Sequence, residues 1–544
     1  MSSLNTQNRS EIRDVLANEH FDCLIIGGGI TGVGIALDAV SRGLKVALIE
    51  MQDYSAGTSS RSTKLIHGGL RYLKNFEIGL VMETGRERSI LHQNATNLIH
   101  PERMLLPLIK KGSLGKWTTK LALTVYDFLA GVPKKDRKMM LRKSETLALQ
   151  PGLNALEIIG GALYSEYRTD DSRLTISVLK TAVDIGVVAL NYVKCENLLY
   201  DHNKVSAVEA IDLITNKRLT IKAKTIVNST GPWVDEIRKI DKSLKSKHLH
   251  LTKGVHIVVR NEKIKLNQAC YMEITDGRMI FAIPREETIY IGTTETNYAN
   301  DKLNPQTELD DIAYLLRAIN HMFPNASLDF SDIISHWSGL RPLIADSGKN
   351  NNEISRKDEI FESPSRLISI AGGKLTAYRK MAERVVNLIN KHLKLKMSSK
   401  TKNMALKGCC SKETFTQQFN SFFLQFNRAD LWTQHYWSRY GLETQKIIEA
   451  FHFHKFEVNN ESALLKSELI YCMSNESCLT LYDFLMYRNA MLLFNPDLVK
   501  EHLSTLSNFF QKQNFATSEQ FINDQEKIEN WFRTIDGLQS QKIN

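Results

Sequence analysis

Within fourteen residues, the stretch Ser59–Tyr72 (SSRSTKLIHGGLRY) collects two arginines, a lysine, a histidine, a Gly-Gly pair and five hydroxyl side chains. Groups of these types recognise anions. An arginine fork takes two phosphate oxygens at once, and a glycine lets the backbone pass close to a ligand. Just upstream lies Gly27-x-Gly29-x-x-Gly32, with Glu50 eighteen positions after Gly32. In that pattern Gly27 permits a tight turn, Gly29 lets the chain approach a pyrophosphate, and Gly32 lets helix and strand pack closely. The helix that follows offers free N–H groups to the anion, and the acid accepts from a ribose diol. Two phosphate-seeking constellations side by side predict a dinucleotide cofactor and, separately, a phosphorylated substrate.

Such groups need elements to hold them. Phe21–Ile26 reads as a buried strand, Gly27–Gly29 as a turn, Thr31–Ser41 as a helix and Lys45–Ile49 as a second strand. This is a βαβ unit of about thirty residues. Residues 76–150 read as mostly helical. From Gly161 to Met279 strands mix with helices, and GVHIVV, RMIFAIP and TIYIGTTE are β-rich runs. Two later segments, Ile226–Gly231 and Leu367–Gly373, repeat the strand-to-glycine pattern. A flavin enzyme closes its cofactor site from distant segments in this way, which favours FAD over NAD. A helix beginning after Gly372-Gly373 would aim its N-terminal dipole at the flavin pyrimidine edge. Beyond a lysine-rich linker near residue 396 the chain reads as helical to its end.

The composition sets outer bounds. The 544 residues are too many for one core. The net charge of +10 suits an anionic substrate or an anionic membrane surface. No basic stretch with interleaved aromatics argues for nucleic acid. The seven cysteines are scattered, odd in number and without a CxxC pair, which argues for free thiols and against metal ligation. The N-terminus lacks an apolar signal-type core, and no apolar run reaches a spanning length. No EF-hand loop is present, so calcium control is not expected.

Seven segments, IIGGGITGVGIALDAVSRGLKVALIE, TSSRSTKLIHGGLRYL, NSTGPWVD, KGVHIVV, IGTTET, SGLRPL and AGGKLTAYRKMAE, occur in an order and spacing that resembles the FAD-dependent glycerol-3-phosphate dehydrogenases of the aerobic, quinone-linked type. These belong to the D-amino-acid-oxidase-like flavoprotein superfamily. The resemblance covers about residues 20–395. It continues more weakly through KSELIYCMSNESCLTLYDFLMYRNAML into the family's helical C-terminal domain. It implies a noncovalently bound FAD touched by Thr58, Ser59, Ser60, Ser62 and Lys64, by His67, Gly68 and Gly69 beside the isoalloxazine, and by Gly231, Gly372, Gly373, Lys374, Leu375 and Thr376. It also implies a substrate site of Arg71 and Tyr72, with Arg341 and Lys374 as further candidates, binding glycerol 3-phosphate as the substrate; Thr293, Thr294 and Arg356 are open substrate candidates, with a strand end for the threonines and a solvated loop for the arginine as the other readings. A C–H hydride must then reach flavin N5 while the neighbouring hydroxyl loses a proton. His256 and His67 are the histidine candidates for that proton; Arg341 or Lys374 would instead stabilise an alkoxide. The sequence does not choose among them.

The expected architecture is α/β, α+β overall. A Rossmann-like FAD domain over 21–395 (roughly 21–75, 150–240 and 350–395) is interleaved with a β-rich substrate domain (76–149 and 241–349). Residues 1–20 form an N-terminal arm, and 396–544 a helical C-terminal domain. Leu114–Ala130 is amphipathic and has basic flanks at Lys110, Lys111 and Lys116 and at Lys134, Lys135, Arg137 and Lys138. It suits either an anionic bilayer surface or ordinary core packing. With quinone as acceptor, the expected location is peripheral, on the cytoplasmic face of a bacterial cell membrane. A homodimer is left open. The rival readings are an oxygen-using oxidase of the same substrate, a flavin amine oxidoreductase, and a non-catalytic flavoprotein at a membrane surface.

Overall fold

The computed structural model describes residues 4–68, 78–129, 134–346, 357–454, 461–513 and 518–541. The βαβ unit is present as His20–Ile26, Ile30–Ser41 and Val46–Ile49. Its strands form the centre of a parallel sheet in the order Ile368–Ala371, Lys217–Asn228, His20–Ile26, Val46–Ile49, Val188–Leu190. Continuous apolar runs such as CLII suit strands covered on both faces, and strand alternation divides them between two cores. Cys23 and Ile25 face the helices Ile30–Ser41, Asp171–Asp184 and Tyr378–Leu393. Leu24 and Ile26 face an antiparallel meander and the helix Arg9–Asn18. Residues 1–20 were expected as an arm. Their helix instead docks on the sheet, with Arg9 buried against Asp212 and Asn191.

A second sheet holds the β-rich runs. Its longest pair is Lys247–Arg260 against Ile333–Asp346. Two segments join it from outside the expected substrate stretches. Leu65–Ile66 and Ile158–Thr169, both placed with the FAD unit by sequence, pair with each other here. Ile158–Thr169 also pairs along its length with the strand Ile99–Ile109. That strand interrupts a region expected to be helical. It carries Pro101 and Pro107, a residue type that is rare in a sheet interior. An even spacing points both toward the same strand edge, and the partner on the other side, Ala269–Glu273, pairs only at Met104 and Leu105. The C-terminal portion is helical, from Lys412–Phe423 to Ser518–Gln539. Its aromatic-rich core includes Phe415, Phe423, Trp432 and Tyr436.

The helix Ile30–Ser41 leans hard on its start. A Cβ at Gly32 would stand 1.8 Å from the Gly27 carbonyl oxygen and 2.8 Å from Ser229 Oγ. Relief requires the helix to move off the sheet, an overpacking cost of about 1–3 kcal/mol or more. Gly32→Ala is therefore expected to lower the melting temperature and the FAD content together. Full flavin loading in the purified variant would count against this packing account.

Candidate active site

A cleft of about 350 Å³ runs between the two sheets. One end is formed by Glu50, Gln52 and Val193, the middle by the glycine turn, and the far end by His67, Gly372, Gly373 and Lys374. A smaller chamber of about 280 Å³ opens beside it, and Thr58, Thr63, His67, Arg341, Gly373 and Lys374 line both.

Local chemistry explains the first end. Gly27 has φ +109°, and a Cβ there would be 2.6 Å from Ser229 O. The turn delivers the chain to the twelve-residue helix Ile30–Ser41, whose first N–H, on Ile30, donates to Ser59 Oγ at 2.9 Å. The Glu50 carboxylate accepts from Gly28 N at 2.6 Å and from Gln52 N at 2.8 Å. Burial raises its pKa, and these two bonds pull the other way. Helix-terminal N–H groups, a backbone kept bare by glycine and a half-buried acid at the strand end together fit the phosphates and ribose of a dinucleotide. At the far end, Gly372 and Gly373 both have positive φ. They lead through Leu375–Ala377 into the helix Tyr378–Leu393, so a second helical N-terminus faces the cleft.

The smaller chamber concentrates cationic and hydroxyl groups. Arg341 donates to Thr293 Oγ1 at 2.9 Å and to Thr294 O at 3.2 Å. A Cβ at Gly254 would lie 2.4 Å from the guanidinium, so this glycine clears its place. Thr294 turns its hydroxyl inward to accept from Val255 N. Lys374 Nζ approaches Gly68 O at 3.4 Å. His67 is held from behind: its N–H donates to Thr376 Oγ1, and that hydroxyl donates back to His67 O. Burial first, then the charges of Lys374 and Arg88, push the imidazole pKa down to about 3. At neutral pH His67 is an uncharged ring with a lone pair to offer.

His256 is set differently. Its Nε2 lies 3.0 Å from Thr63 Oγ1, and its ring stacks on Trp337 at 4.6 Å. Burial, then the Arg341 and Lys64 charges, hold it neutral as well. It lines the larger cleft and not the smaller chamber.

Most of the residues singled out by sequence do meet here. Gly27, Gly29, Glu50, Thr58, Ser59, Ser62, His67, Gly231, Gly372, Gly373, Lys374, Leu375 and Thr376 line the cleft, and Thr293, Thr294, Arg341 and Lys374 the chamber. Gly32 and Gly68 sit behind these walls. Lys64 and Ser60 are not brought to the cleft. Lys64 has φ +56°, which turns its side chain inward to Asp171 Oδ1 at 2.5 Å and Ser60 O at 3.0 Å. Ser60 bonds back to Gly57 O. Gly69, Arg71, Tyr72 and Arg356 lie outside the described residues.

The sequence reading missed a supporting group. Gly68 N donates to the Tyr126 hydroxyl, which donates to Glu166 Oε1 at 2.7 Å, and Arg88 bonds both. Glu166 also lines the chamber, with Tyr164, Tyr271 and Phe281. No motif marks these residues; tertiary pairing alone assembles them.

Residues 22–374 match the model of the FAD-dependent oxidoreductase family, and 399–520 that of the C-terminal domain of alpha-glycerophosphate oxidase. The chain is 46% identical over 507 residues to the aerobic glycerol-3-phosphate dehydrogenase of Staphylococcus saprophyticus, covering 91% of both chains. It is 47% identical over 505 residues, again 91% of both, to the protein of the same name from Staphylococcus aureus strain USA300. Among solved structures, glycerol-3-phosphate dehydrogenase from Bacillus halodurans complexed with FAD superposes with a TM-score of 0.85 at 36% identity, over 99% of this chain and 100% of that one.

Proposed function

The chain belongs to the FAD-dependent oxidoreductase family, and from that premise we propose that it oxidises sn-glycerol 3-phosphate to dihydroxyacetone phosphate and passes the electrons to a quinone. The observation that carries this reading is the meeting of Arg341, Lys374 and His67 in one chamber beside the dinucleotide cleft. FAD, when bound, would supply the two-electron acceptor for the C2 hydride. Gly27, Gly29, Ile30 and Ser59 would hold its pyrophosphate, Glu50 its ribose, and Gly372–Thr376 its ring end.

The protein's own work is binding, orientation and proton transfer. Arg341, braced by Thr293, binds the substrate phosphate with two bonds. His67 takes the proton of the C2 hydroxyl; it faces the chamber in neutral form, whereas His256 is engaged by Thr63 and lies outside the chamber. Lys374 adds positive charge where an alkoxide develops. His67 lines both chamber and cleft, so a substrate in the chamber would lie beside a ring held at the far end of the cleft.

Anaerobic addition of glycerol 3-phosphate tests this directly. The visible flavin absorbance should bleach rapidly, and glycerol or an amino acid should leave it unchanged. Bleaching by the amino acid alone would hand the site to an amine oxidoreductase, and an inert yellow protein would remove catalysis. Re-oxidation by a quinone analogue, much faster than by air, would support the dehydrogenase over the oxidase.

The quinone reading draws on the helix Lys116–Leu129. Thr119, Leu123 and Tyr126 are buried, while Trp117, Leu121 and Phe128 form an outward stripe exposed by 81%, 67% and 83%. Among the described residues no helix is long and apolar enough to cross a membrane. An apolar stripe beside Lys110, Lys111, Lys116 and Lys120 instead suits lying on an anionic bilayer, where a lipid-dissolved acceptor is found. Tyr126, on the inner face of this helix, reaches Gly68 next to the chamber. The protein is expected to pellet with anionic vesicles at low salt and to be released at high salt. Replacing Trp117, Leu121 and Phe128 together with serine should abolish the binding. Absence of pelleting at low salt overturns the membrane reading.

A further inference from the structure

The loop between Glu50 and Ala56 separates the cofactor cleft from the C-terminal helices. Glu50, Met51, Gln52, Ser55 and Ala56 line the cleft; Asp53 does not and points away from it. Its carboxylate is fully buried and meets the guanidinium of Arg488, itself fully buried, through both oxygens, at 2.5 and 3.0 Å. Arg488 ends the π-helical turn Phe484–Arg488, a kind of turn frequent at functional positions. It also donates to Glu476 O at 2.8 Å. Glu476 receives Arg173 in a two-bond pair and Lys180 at 3.1 Å.

Two more ties run from the same loop to the same segment. Ser55 bonds Ser172, whose hydroxyl donates to Tyr487 O at 2.7 Å. Gln52 O accepts from Tyr192 N, and the Tyr192 hydroxyl donates to Asp483 at 2.6 Å. Buried ion pairs often add little net stability compared with apolar packing of the same volume, and in some proteins they serve instead to fix one geometry. Here that geometry is the shape of the loop that carries Glu50.

We infer that Arg488 is a positioning residue, through which the C-terminal helical region clamps the Glu50–Ala56 loop in the form that receives the adenosine end of FAD. This rests on the assignment of Glu50 to the cofactor ribose. Coupling of this kind is reciprocal: if the clamp favours FAD, FAD must steady the clamp.

Hydrogen exchange of the deflavinated full-length protein, with and without added FAD, tests both halves. FAD is expected to slow exchange in Gly27–Ile30 and 50–56, and also about tenfold in 476–489, which does not line the cleft. Protection of the cleft residues with 476–489 unchanged overturns the clamp and leaves the cofactor site standing. Protection of neither overturns the cofactor assignment and the clamp with it. A second measurement compares Arg488→Lys and Arg488→Gln well below their melting temperatures. The FAD dissociation constant is expected to rise about tenfold for Arg488→Gln and less for Arg488→Lys. A lowered melting temperature with unchanged FAD affinity would mark Arg488 as structural only and overturn the inference. If neither variant folds, the exchange experiment on the wild-type chain still decides.

Discussion

Replacing His67 with asparagine is expected to lower kcat by about 10²–10⁴, the usual contribution of a positioned general base, with FAD content unchanged. Asparagine keeps the polarity and the small bulk beside Thr376 but cannot take a proton. The defect should therefore appear as slow anaerobic bleaching at saturating glycerol 3-phosphate, with little change in the concentration needed for half-saturation. His256→Gln should cost far less, because Nε2 of His256 is engaged by Thr63 and its ring lies flat on Trp337. Reversal of those two results would exchange the roles of the histidines.

The pH profile follows from the same environment. Burial, Lys374 and Arg88 hold the His67 pKa near 3 in the folded protein, against an ordinary value of 6.5. A base with a lowered pKa is ready to accept a proton at any pH above that lowered value. Between about pH 8 and about pH 5, kcat should then show no inflection of ordinary histidine type. Only kcat/KM should fall there, as the dianionic substrate phosphate takes up a proton near pH 6 and becomes the monoanion. The same burial carries a stability cost in acid. The unfolded chain protonates His67 and His256 below about pH 6.5 and the folded chain resists, so their contribution to stability is lost as pH falls from 6.5 toward the folded values.

How much of this was legible depended on distance along the chain. The βαβ unit was readable because its glycines, helix and terminal acid act within thirty residues, so local sterics decide the outcome. The convergence of Arg341, Lys374 and His67 was readable through short motifs whose spacing carries the resemblance. Lys64 was misread for a local reason. Sequence places it on the right loop, but a left-handed backbone turns it to Asp171, at the start of a helix more than a hundred residues away. Tyr126, Glu166 and Arg88 left no signal, because they meet only where the helices Ile78–Asn94 and Lys116–Leu129 pack on each other and on the strand Ile158–Thr169. Arg488 sits in an aromatic-rich helical stretch where one buried arginine looks like any surface one.

Phosphate selectivity should fail in two distinguishable ways. Arg341→Ala removes a fork already aimed by Thr293 and Thr294. Two hydrogen bonds to a charged group, each about 1.5–3 kcal/mol, correspond to a fall in kcat/KM of about 10²–10⁴ for glycerol 3-phosphate. Trace turnover of glycerol should not change, so the ratio between the two substrates collapses. Because the phosphate is bound before and during reaction alike, the loss should fall mainly on KM, and dihydroxyacetone phosphate should weaken in parallel as an inhibitor. Lys374→Met should behave otherwise. Among the charges acting on His67, that of Lys374 is the larger, after burial itself. Its removal should lower kcat and move the acid limb of kcat upward in pH, toward but not reaching 6.5, since burial persists. Arg341→Ala, whose charge acts on His256 rather than His67, should leave that limb in place. If both variants moved KM alone, Lys374 would be a second phosphate ligand, and the charge that steadies the alkoxide would have to come from elsewhere.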